Sequence, residues 1–256
     1  MSFGQDYRYS PAATAGWSEQ IDVGLRNYML RVYNWMASGL LLTCIVAYAI
    51  ANTSLSALFF KTVMTPAGIV PQPTLLGNIA ILSPLAFVLV LSFGVYKLSL
   101  QTAQVLFWTF CASMGASMAS IFVAYTGTSI VRVFLITSCM FAGMSLYGYV
   151  TKANLLRFSS FLMMGLFGLV IAGVVNLFLK SATVYYVYSI IGVGLFTVFT
   201  AFDTQRIRVT YPQLAAYAGQ EALAKNSIYD ALSLYLNFIN LFQFLIQFMG
   251  VRSSSD

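Results

Sequence analysis

The 256-residue sequence contains no histidine and very little cysteine. Histidine is the general base of Ser-His-Asp hydrolases, a frequent zinc ligand and the axial ligand of many haem proteins, so its absence excludes these classes and rhomboid-like Ser-His proteases. Cys44, Cys111 and Cys139 lie within apolar runs, and no CxxC pair occurs. We interpret them as small buried hydrophobic residues. We therefore expect no cofactor.

Charge is also scarce, because only 8% of the residues are charged while 59% are hydrophobic. An ordinary soluble domain is roughly 25% charged. A soluble fold could not bury so much apolar surface, so lipid must be the solvent for most of this chain. The net charge of +6 is best explained by the cytoplasmic flanks of membrane helices, and we expect no nucleic-acid partner. No Rossmann fingerprint or Walker A loop occurs.

Apolar runs of about 20 residues, the length that crosses a bilayer as a helix, recur along the chain. The first 24 residues are polar and lack the apolar core of a cleaved signal, so we expect the first run to be a permanent span. The sequence predicts an all-α, polytopic membrane protein with seven transmembrane helices. Residues 1–25 are a predicted polar tail, residues 26–250 the membrane domain, and residues 251–256 a second tail. The predicted spans are residues 28–51, 78–96, 103–125, 130–150, 158–179, 184–207 and 227–249.

Lysine and arginine are distributed unequally between the two sides of these spans. Cytoplasmic flanks of membrane proteins carry the excess of these residues. The distribution therefore predicts a cytoplasmic N-terminus and, because the number of spans is odd, a C-terminus outside. One side holds nine such residues: Arg8, Arg26, Arg31, Lys97, Lys152, Arg157, Arg206, Arg208 and Lys225. The other side holds four: Lys61, Arg132, Lys180 and Arg252.

Asp203 follows a run of nineteen uncharged residues, 184–202, in the sixth predicted span. A carboxylate at the centre of a spanning helix costs roughly 2.5–3.5 kcal/mol on insertion scales, so such residues usually face a protein interior and have a partner. Two alternatives stay open. Asp203 and Arg206 are three residues apart, which permits a local ion pair near the surface. Alternatively, Asp203 faces polar side chains of the seventh span.

The seventh predicted span is unusually polar for a lipid-facing helix. Asp230 and Asn237 are seven residues apart and share a helix face, which Asn240 and Gln243 continue. Asn176 adds an amide near the outer end of the fifth span. Polar stripes of this kind join helices in lipid. A stripe that leads from a carboxylate toward the opposite surface is also what a cation path requires, and the sequence does not choose between the two.

Four motifs carry a family resemblance: "RNYMLRVYNWMASGLLLT", "SLYGYVTKANLLRFSSFLMMGLFGLVIAGVVNLFL", "AFDTQRI" and "ALSLYLNFINLF". Over residues 26–250 the sequence resembles the Bax inhibitor-1 family, and its bacterial, inner-membrane members in particular. The resemblance implies a seven-helix bundle whose last helix is central. It also implies a pH-sensitive calcium leak channel, in which an aspartate on the sixth helix shares a proton with one on the seventh and protonation accompanies gating.

The resemblance assigns the sixth-helix aspartate to Asp203. At the seventh-helix position, within "LYLNF", this chain has Asn237 instead of aspartate. An amide forms hydrogen bonds but cannot titrate, so the usual two-carboxylate sensor is absent. Asp230 is a candidate substitute, although it lies about 10 Å along the helix axis from Asn237. The basic residue that seals the channel of relatives corresponds best to Lys97, with Arg206 as a second candidate.

Two functions from different classes follow. The first is a cation leak with calcium as the permeant ion, because calcium prefers oxygen ligands and Asp203 and Asp230 are candidate transient ligands. The second is an interaction protein that modulates an ATP-dependent membrane protease or is its substrate, as the resemblance implies for some bacterial members, with the tail at residues 1–20 as the segment to be gripped. Eukaryotic relatives act against cell death through membrane partners. The missing second carboxylate favours this second function.

We expect no enzymatic activity and no catalytic residues. An intramembrane aspartyl protease needs two facing aspartates, and the glycine-rich motif that carries the second one is missing here. A retinal protein needs a lysine in the seventh span for its Schiff base, and that span contains none. The expected partners are therefore the bilayer, protons, calcium and membrane proteins.

Overall fold

The computed structural model describes the backbone of residues 11–65, 68–94 and 98–253, and the side chains of residues 21–61, 72–87 and 98–253. The helices are α1 (Pro11–Asn52), α2 (Ser56–Phe59), α3 (Leu75–Gly94), α4 (Leu100–Ala124), α5 (Gly127–Val150), α6 (Ser159–Leu179), α7 (Ala182–Tyr217) and α8 (Gln220–Met249). A 3-10 turn, Leu155–Phe158, precedes α6. Strands β1 (Phe60–Thr65) and β2 (Gly68–Pro73) form an antiparallel hairpin between α2 and α3.

Six of the helices in the described part of the chain are long and apolar enough to cross a membrane, namely α1, α4, α5, α6, α7 and α8. In α3, the described apolar part is the shorter segment Leu75–Phe87. The molecule is therefore a helical, multi-pass membrane protein, as the sequence predicts. By length and composition alone, however, the described residues do not establish the predicted count of seven spans.

Three helices extend beyond the predicted spans. Helix α1 begins at Pro11, inside the segment predicted as a polar tail, while residues 1–10 lie outside the described part. Helix α8 begins at Gln220 rather than at residue 227. Helix α7 continues to Tyr217 rather than ending at residue 207. Hydropathy marks the part of a helix that lies in lipid, and these extensions carry polar residues, so the apolar runs underestimate helix length.

The extension of α7 passes through Pro212, which removes one backbone hydrogen bond from the helix. Next to this proline, α7 packs against α1. The ring of Tyr211 lies 5.1 Å from the ring of Tyr28, centroid to centroid. The phenol of Tyr211 also lies directly over Gly24, where a side chain would overlap it. The start of α1 and the end of α7 therefore support each other.

Helix α8 is the centre of the bundle. In its most apolar part 61% of the residues are buried, against 39% or less in the other five long apolar helices of the described chain. It packs against α1, α4, α5 and α7. Tyr235, fully buried on α8, shares a 2.6 Å hydrogen bond with the hydroxyl of Thr43 on α1. This arrangement agrees with the central last helix that the family resemblance implies.

Helices α1 and α4 run parallel. Trp35 lies against Phe107 near the start of their contact, and Tyr48 lies against Phe122 near its end. The chain must therefore return from the end of α1 to the start of α4, and α3 is the long helix between them. Within the described residues α3 packs on α4, where the hydroxyls of Ser83 and Ser113 are 2.6 Å apart.

Candidate functional site

Asp203 is buried between α7 and α8, with only 7% of its surface exposed. The side-chain amide of Asn237 on α8 donates a 2.7 Å hydrogen bond to Oδ2 of Asp203. The guanidinium of Arg206, one turn further along α7, lies 3.2 Å from Oδ1. The two alternatives that the sequence left open therefore exist together, since Asp203 has both a local ion pair and a partner on the last helix.

Arg206 also reaches a second carboxylate. Its Nη2 atom lies 3.7 Å from Oδ1 of Asp230 on α8 and donates a 3.3 Å hydrogen bond to Oγ of Ser233. The other oxygen of Asp230 accepts a 2.6 Å hydrogen bond from the phenol of Tyr28 on α1. We name the five side chains that meet here the carboxylate cluster: Tyr28, Asp203, Arg206, Asp230 and Asn237.

The carboxylate cluster contains two carboxylates but one guanidinium. Both ion pairs found among the described residues use Arg206, whose side chain is 40% exposed. When both carboxylates are ionised, one unit of negative charge in the cluster has no basic partner. Burying such a charge is costly unless it is paired. A proton or a cation that binds there would neutralise it.

Local sequence explains most of the cluster, and long-range packing explains the rest. Asp203 and Arg206 are three residues apart on α7, and Asp230 and Asn237 are seven apart on α8, so each pair shares one helix face. Tyr28, in contrast, is 202 residues away from Asp230. Sequence reasoning missed Tyr28 and Ser233, and a tyrosine at the start of an apolar span gives no signal of such a contact.

The residues that follow Asp203 bind other parts of the bundle. Thr204 shares a 3.0 Å hydrogen bond with Ser145 on α5, which in turn bonds to the phenol of Tyr33 on α1. Gln205 donates to the carbonyl of Ala153 and accepts from the amide of Leu155, both at 2.7 Å. This part of α7 is therefore joined to α1, to α5 and to the α5–α6 loop.

Arg208 completes this set of contacts. Its guanidinium donates hydrogen bonds of 2.6 Å and 3.2 Å to the carbonyls of Tyr149 and Thr151 at the end of α5. The last carbonyls of a helix lack intrahelical partners and carry partial negative charge, so a cation there is stabilising. The sequence predicts Arg208 only as a flanking charge, because the helix end that it contacts is 57 or more residues away along the chain.

The polar stripe of α8 is interrupted. Asn240 donates to a carbonyl of its own helix, Leu236, at 2.8 Å. Gln243 lines a cavity of about 330 Å³ nearer the end of α8. The rings of Phe196 on α7 and Phe244 on α8 are buried and stacked, with their centroids 5.7 Å apart. None of the residues that line the cavity belongs to the carboxylate cluster.

Two further predicted site residues lie apart from the cluster. Asn176 accepts a 3.1 Å hydrogen bond from the amide of Ser181 at the α6–α7 turn, so the structure uses it to close that turn. Lys97, the candidate seal residue, lies outside the described residues. In the described part of the chain, no group of three acidic, cysteine or histidine residues is arranged to hold a metal ion.

Comparison with known proteins gives similarity over nearly the whole chain. Residues 25–254 match the family described as "Inhibitor of apoptosis-promoting Bax1". The chain is 41% identical to the inner membrane protein YbhL of Escherichia coli K12, with 90% of this chain and 93% of YbhL aligned. It is 40% identical to an uncharacterized protein of Caulobacter vibrioides, with 97% of each chain aligned. It is 42% identical to protein RP147 of Rickettsia prowazekii, over 93% of this chain and 95% of that protein.

Proposed function

The chain belongs to the Bax inhibitor-1 family, and on that premise we propose that it is a proton-sensitive cation leak channel of the bacterial inner membrane, with calcium as the permeant ion. The observation that carries the proposal is the unpaired negative charge of the carboxylate cluster, where α1, α7 and α8 meet. A buried site with an excess of carboxylate favours cations over anions. Carboxylate and amide oxygens are also ligands that calcium prefers.

The contacts of the cluster support a closed state in this structure. The Asn237–Asp203 hydrogen bond joins α8 to α7, the Tyr28–Asp230 hydrogen bond joins α1 to α8, and Arg206 contacts both carboxylates. Gain or loss of a proton at either carboxylate changes the charge that Arg206 must balance. Proton binding is therefore linked to how tightly the three helices are held together. Asp203 is the gate residue in this proposal, with Asp230 as the second titrating group.

The proposal includes seven spans, and the parallel packing of α1 and α4 supports them. When two parallel helices both span the membrane, the chain must cross the membrane once more between them to connect the end of the first to the start of the second. Helix α3 has 20 residues, or about 30 Å, which matches the hydrocarbon thickness of a bilayer. With seven spans, the excess of lysine and arginine favours a cytoplasmic N-terminus and a C-terminus outside. The name of YbhL, an inner membrane protein, supports the location.

Calcium flux into liposomes tests the proposal. We expect purified protein to carry calcium to an enclosed dye, with a rate that changes between about pH 5 and pH 8. Asp203→Asn removes one of the two titrating groups and should reduce the change with pH and shift it. Asp22→Asn is the matched control, because Asp22 is exposed on α1 and lies outside the cluster. A flux no greater than that of empty liposomes at every pH would contradict the channel, and an unchanged pH profile in Asp203→Asn would exclude Asp203 as the gate.

One observation favours the second candidate function, an interaction protein that modulates a membrane-bound ATP-dependent protease or is degraded by it. Where the family resemblance implies a carboxylate that titrates with the sixth-helix aspartate, this chain has Asn237, whose amide donates a hydrogen bond to Asp203. Deleting residues 1–10, which precede α1, should then lengthen the lifetime of the protein in cells. A lifetime equal to that of the full chain would exclude this segment as the site of recognition.

A further inference from the structure

A second cavity, of about 570 Å³, lies between α5, α6 and α7. We propose that it binds one anionic phospholipid, with an acyl chain in the cavity and the phosphate beside Arg157. We call this cavity the lateral groove. The site does not depend on the proposed channel activity.

The shape and lining of the lateral groove fit a hydrocarbon chain. Along α7 it extends over residues 191–201, which is about 15 Å of helix. Its lining is almost entirely apolar. A water molecule is stable in a cavity only with two to four polar partners, and this lining does not supply them. The lining residues are Met144, Tyr147, Leu155, Phe158, Phe161, Leu162, Gly165, Ile191, Gly194, Leu195, Val198 and Ala201.

Two features of the sequence keep the groove open. Helix α6 is the least buried of the long apolar helices in the described chain, with 11% of its apolar part buried, and it packs chiefly on α7. Gly194 on α7 leaves space, since an added Cβ atom there would meet no atom within 4 Å. The groove lies at the outside of the bundle, where Phe161 and Ile191 are exposed. A lipid chain can therefore enter it from the bilayer.

Charge at one end of the groove indicates the headgroup. The guanidinium of Arg157 lies 4.9 Å from the ring centroid of Phe158, which lines that end. Residues 151–158 include Lys152 and Arg157 but no acidic residue. Both are exposed, and neither belongs to an ion pair among the described side chains. An unpaired guanidinium beside an apolar groove, with a second exposed cation in the same loop, complements an anionic head on an apolar tail.

The first test measures bound lipid by native mass spectrometry of the purified protein titrated with phosphatidylglycerol. We expect the wild type to hold one molecule and Gly194→Leu, which fills the groove, to bind it at least about tenfold more weakly. Gly168→Leu is the matched control. Gly168 is exposed on α6, does not line the groove, and an added Cβ there also meets no atom within 4 Å. This control should bind as the wild type does.

The second test concerns the headgroup and needs no change in the groove itself. Arg157→Gln should remove most of the preference for phosphatidylglycerol over phosphatidylcholine with the same acyl chains. Arg132→Gln, at an exposed position near the start of α5, should retain the preference. Equal binding of the two lipids by the wild type would overturn the proposal, as would wild-type lipid binding in Gly194→Leu. A change from dimer to monomer in Gly194→Leu without loss of lipid would assign the groove to a second copy of the chain and overturn it too.

Discussion

The side chain of Asp203 contacts one amide, that of Asn237, and one guanidinium, that of Arg206. Its partner Asn237 donates an amide hydrogen at 2.7 Å and cannot itself titrate. The only basic group that contacts it in the described structure, Arg206, is shared with Asp230. The proton-binding properties of the cluster therefore depend on three side chains together rather than on Asp203 alone.

Asn237→Asp should strengthen the dependence of calcium flux on pH. The new carboxylate would lie at hydrogen-bond distance from Asp203, and two carboxylates that close cannot both be ionised without a large repulsion, so they would share a proton. The measurement is liposome flux as a function of pH. Asn240→Asp, one turn further along α8, is the control, because its side chain bonds to the carbonyl of Leu236. Equal pH profiles for the two variants would contradict the prediction.

At the scale of single helices, α5 and α7 make a close backbone contact near Asp203. This contact fixes the position of Asp203 along the axis of α7 relative to α5. Gly148 lies against the backbone of Ala201, and a Cβ atom at this position would overlap the carbonyl oxygen of Ala201. Ala201 is two residues before Asp203. Helix α5 can therefore approach α7 closely only because residue 148 has no side chain.

Gly148→Val should destabilise the protein by about 1–3 kcal/mol or more, because overpacking a close contact forces the helices apart. Gly143→Val is a matched control on the same helix, since a Cβ atom at Gly143 meets no atom within 4 Å. The check is thermal unfolding in detergent, followed by circular dichroism. If both variants unfold at the same temperature, the close contact of α5 with α7 does not stabilise the bundle.

Hydropathy predicts where the helices of this bundle lie, but it predicts their ends only where helix and apolar run end together. The predicted spans 103–125, 130–150 and 158–179 nearly coincide with α4, α5 and α6 because these helices end where the apolar run ends. Helix α7 passes the predicted end because Tyr211 packs on α1, and no local pattern reports such a contact. The hairpin of β1 and β2 was also missed, since its Thr- and Pro-rich segment resembles a loop.

In the carboxylate cluster, too, contacts between residues far apart in the sequence could not be predicted. Asp203 was found from its position at the end of a charge-free run, and Asn237 and Asp230 from their spacing on one helix face. The hydrogen bond from Tyr28 was missed because it joins residues 202 positions apart. Asn176 stays a predicted residue of the cation path, and the structure adds that its side chain accepts a hydrogen bond from the amide of Ser181 at the α6–α7 turn.

For the molecule as a whole, orientation in the membrane is the property with the most direct test. In a chain whose cysteines 44, 111 and 139 are replaced by alanine, Ser253→Cys should react with a membrane-impermeant maleimide in intact cells. Ala153→Cys should react only after permeabilisation. Both positions are exposed, and three of the long apolar helices, α6, α7 and α8, separate them. The reverse pattern would invert the orientation, and labelling of both in intact cells would contradict the odd number of spans between them.

Backbone hydrogen bonds join the segment after α8 to the turn between α4 and α5. The amide of Thr126 donates to the carbonyl of Val251 at 3.1 Å, and the amide of Ser253 donates to the carbonyl of Ala124 at 3.0 Å. Helix α8 is thus anchored just beyond its last residue, Met249, to the α4–α5 corner, and Asp230 and Asn237 both lie about three turns or more before this anchor. An anchored helix resists sliding along its axis but can pivot about the fixed end. We therefore expect any rearrangement of α8 to be a tilt whose amplitude grows toward Gln220.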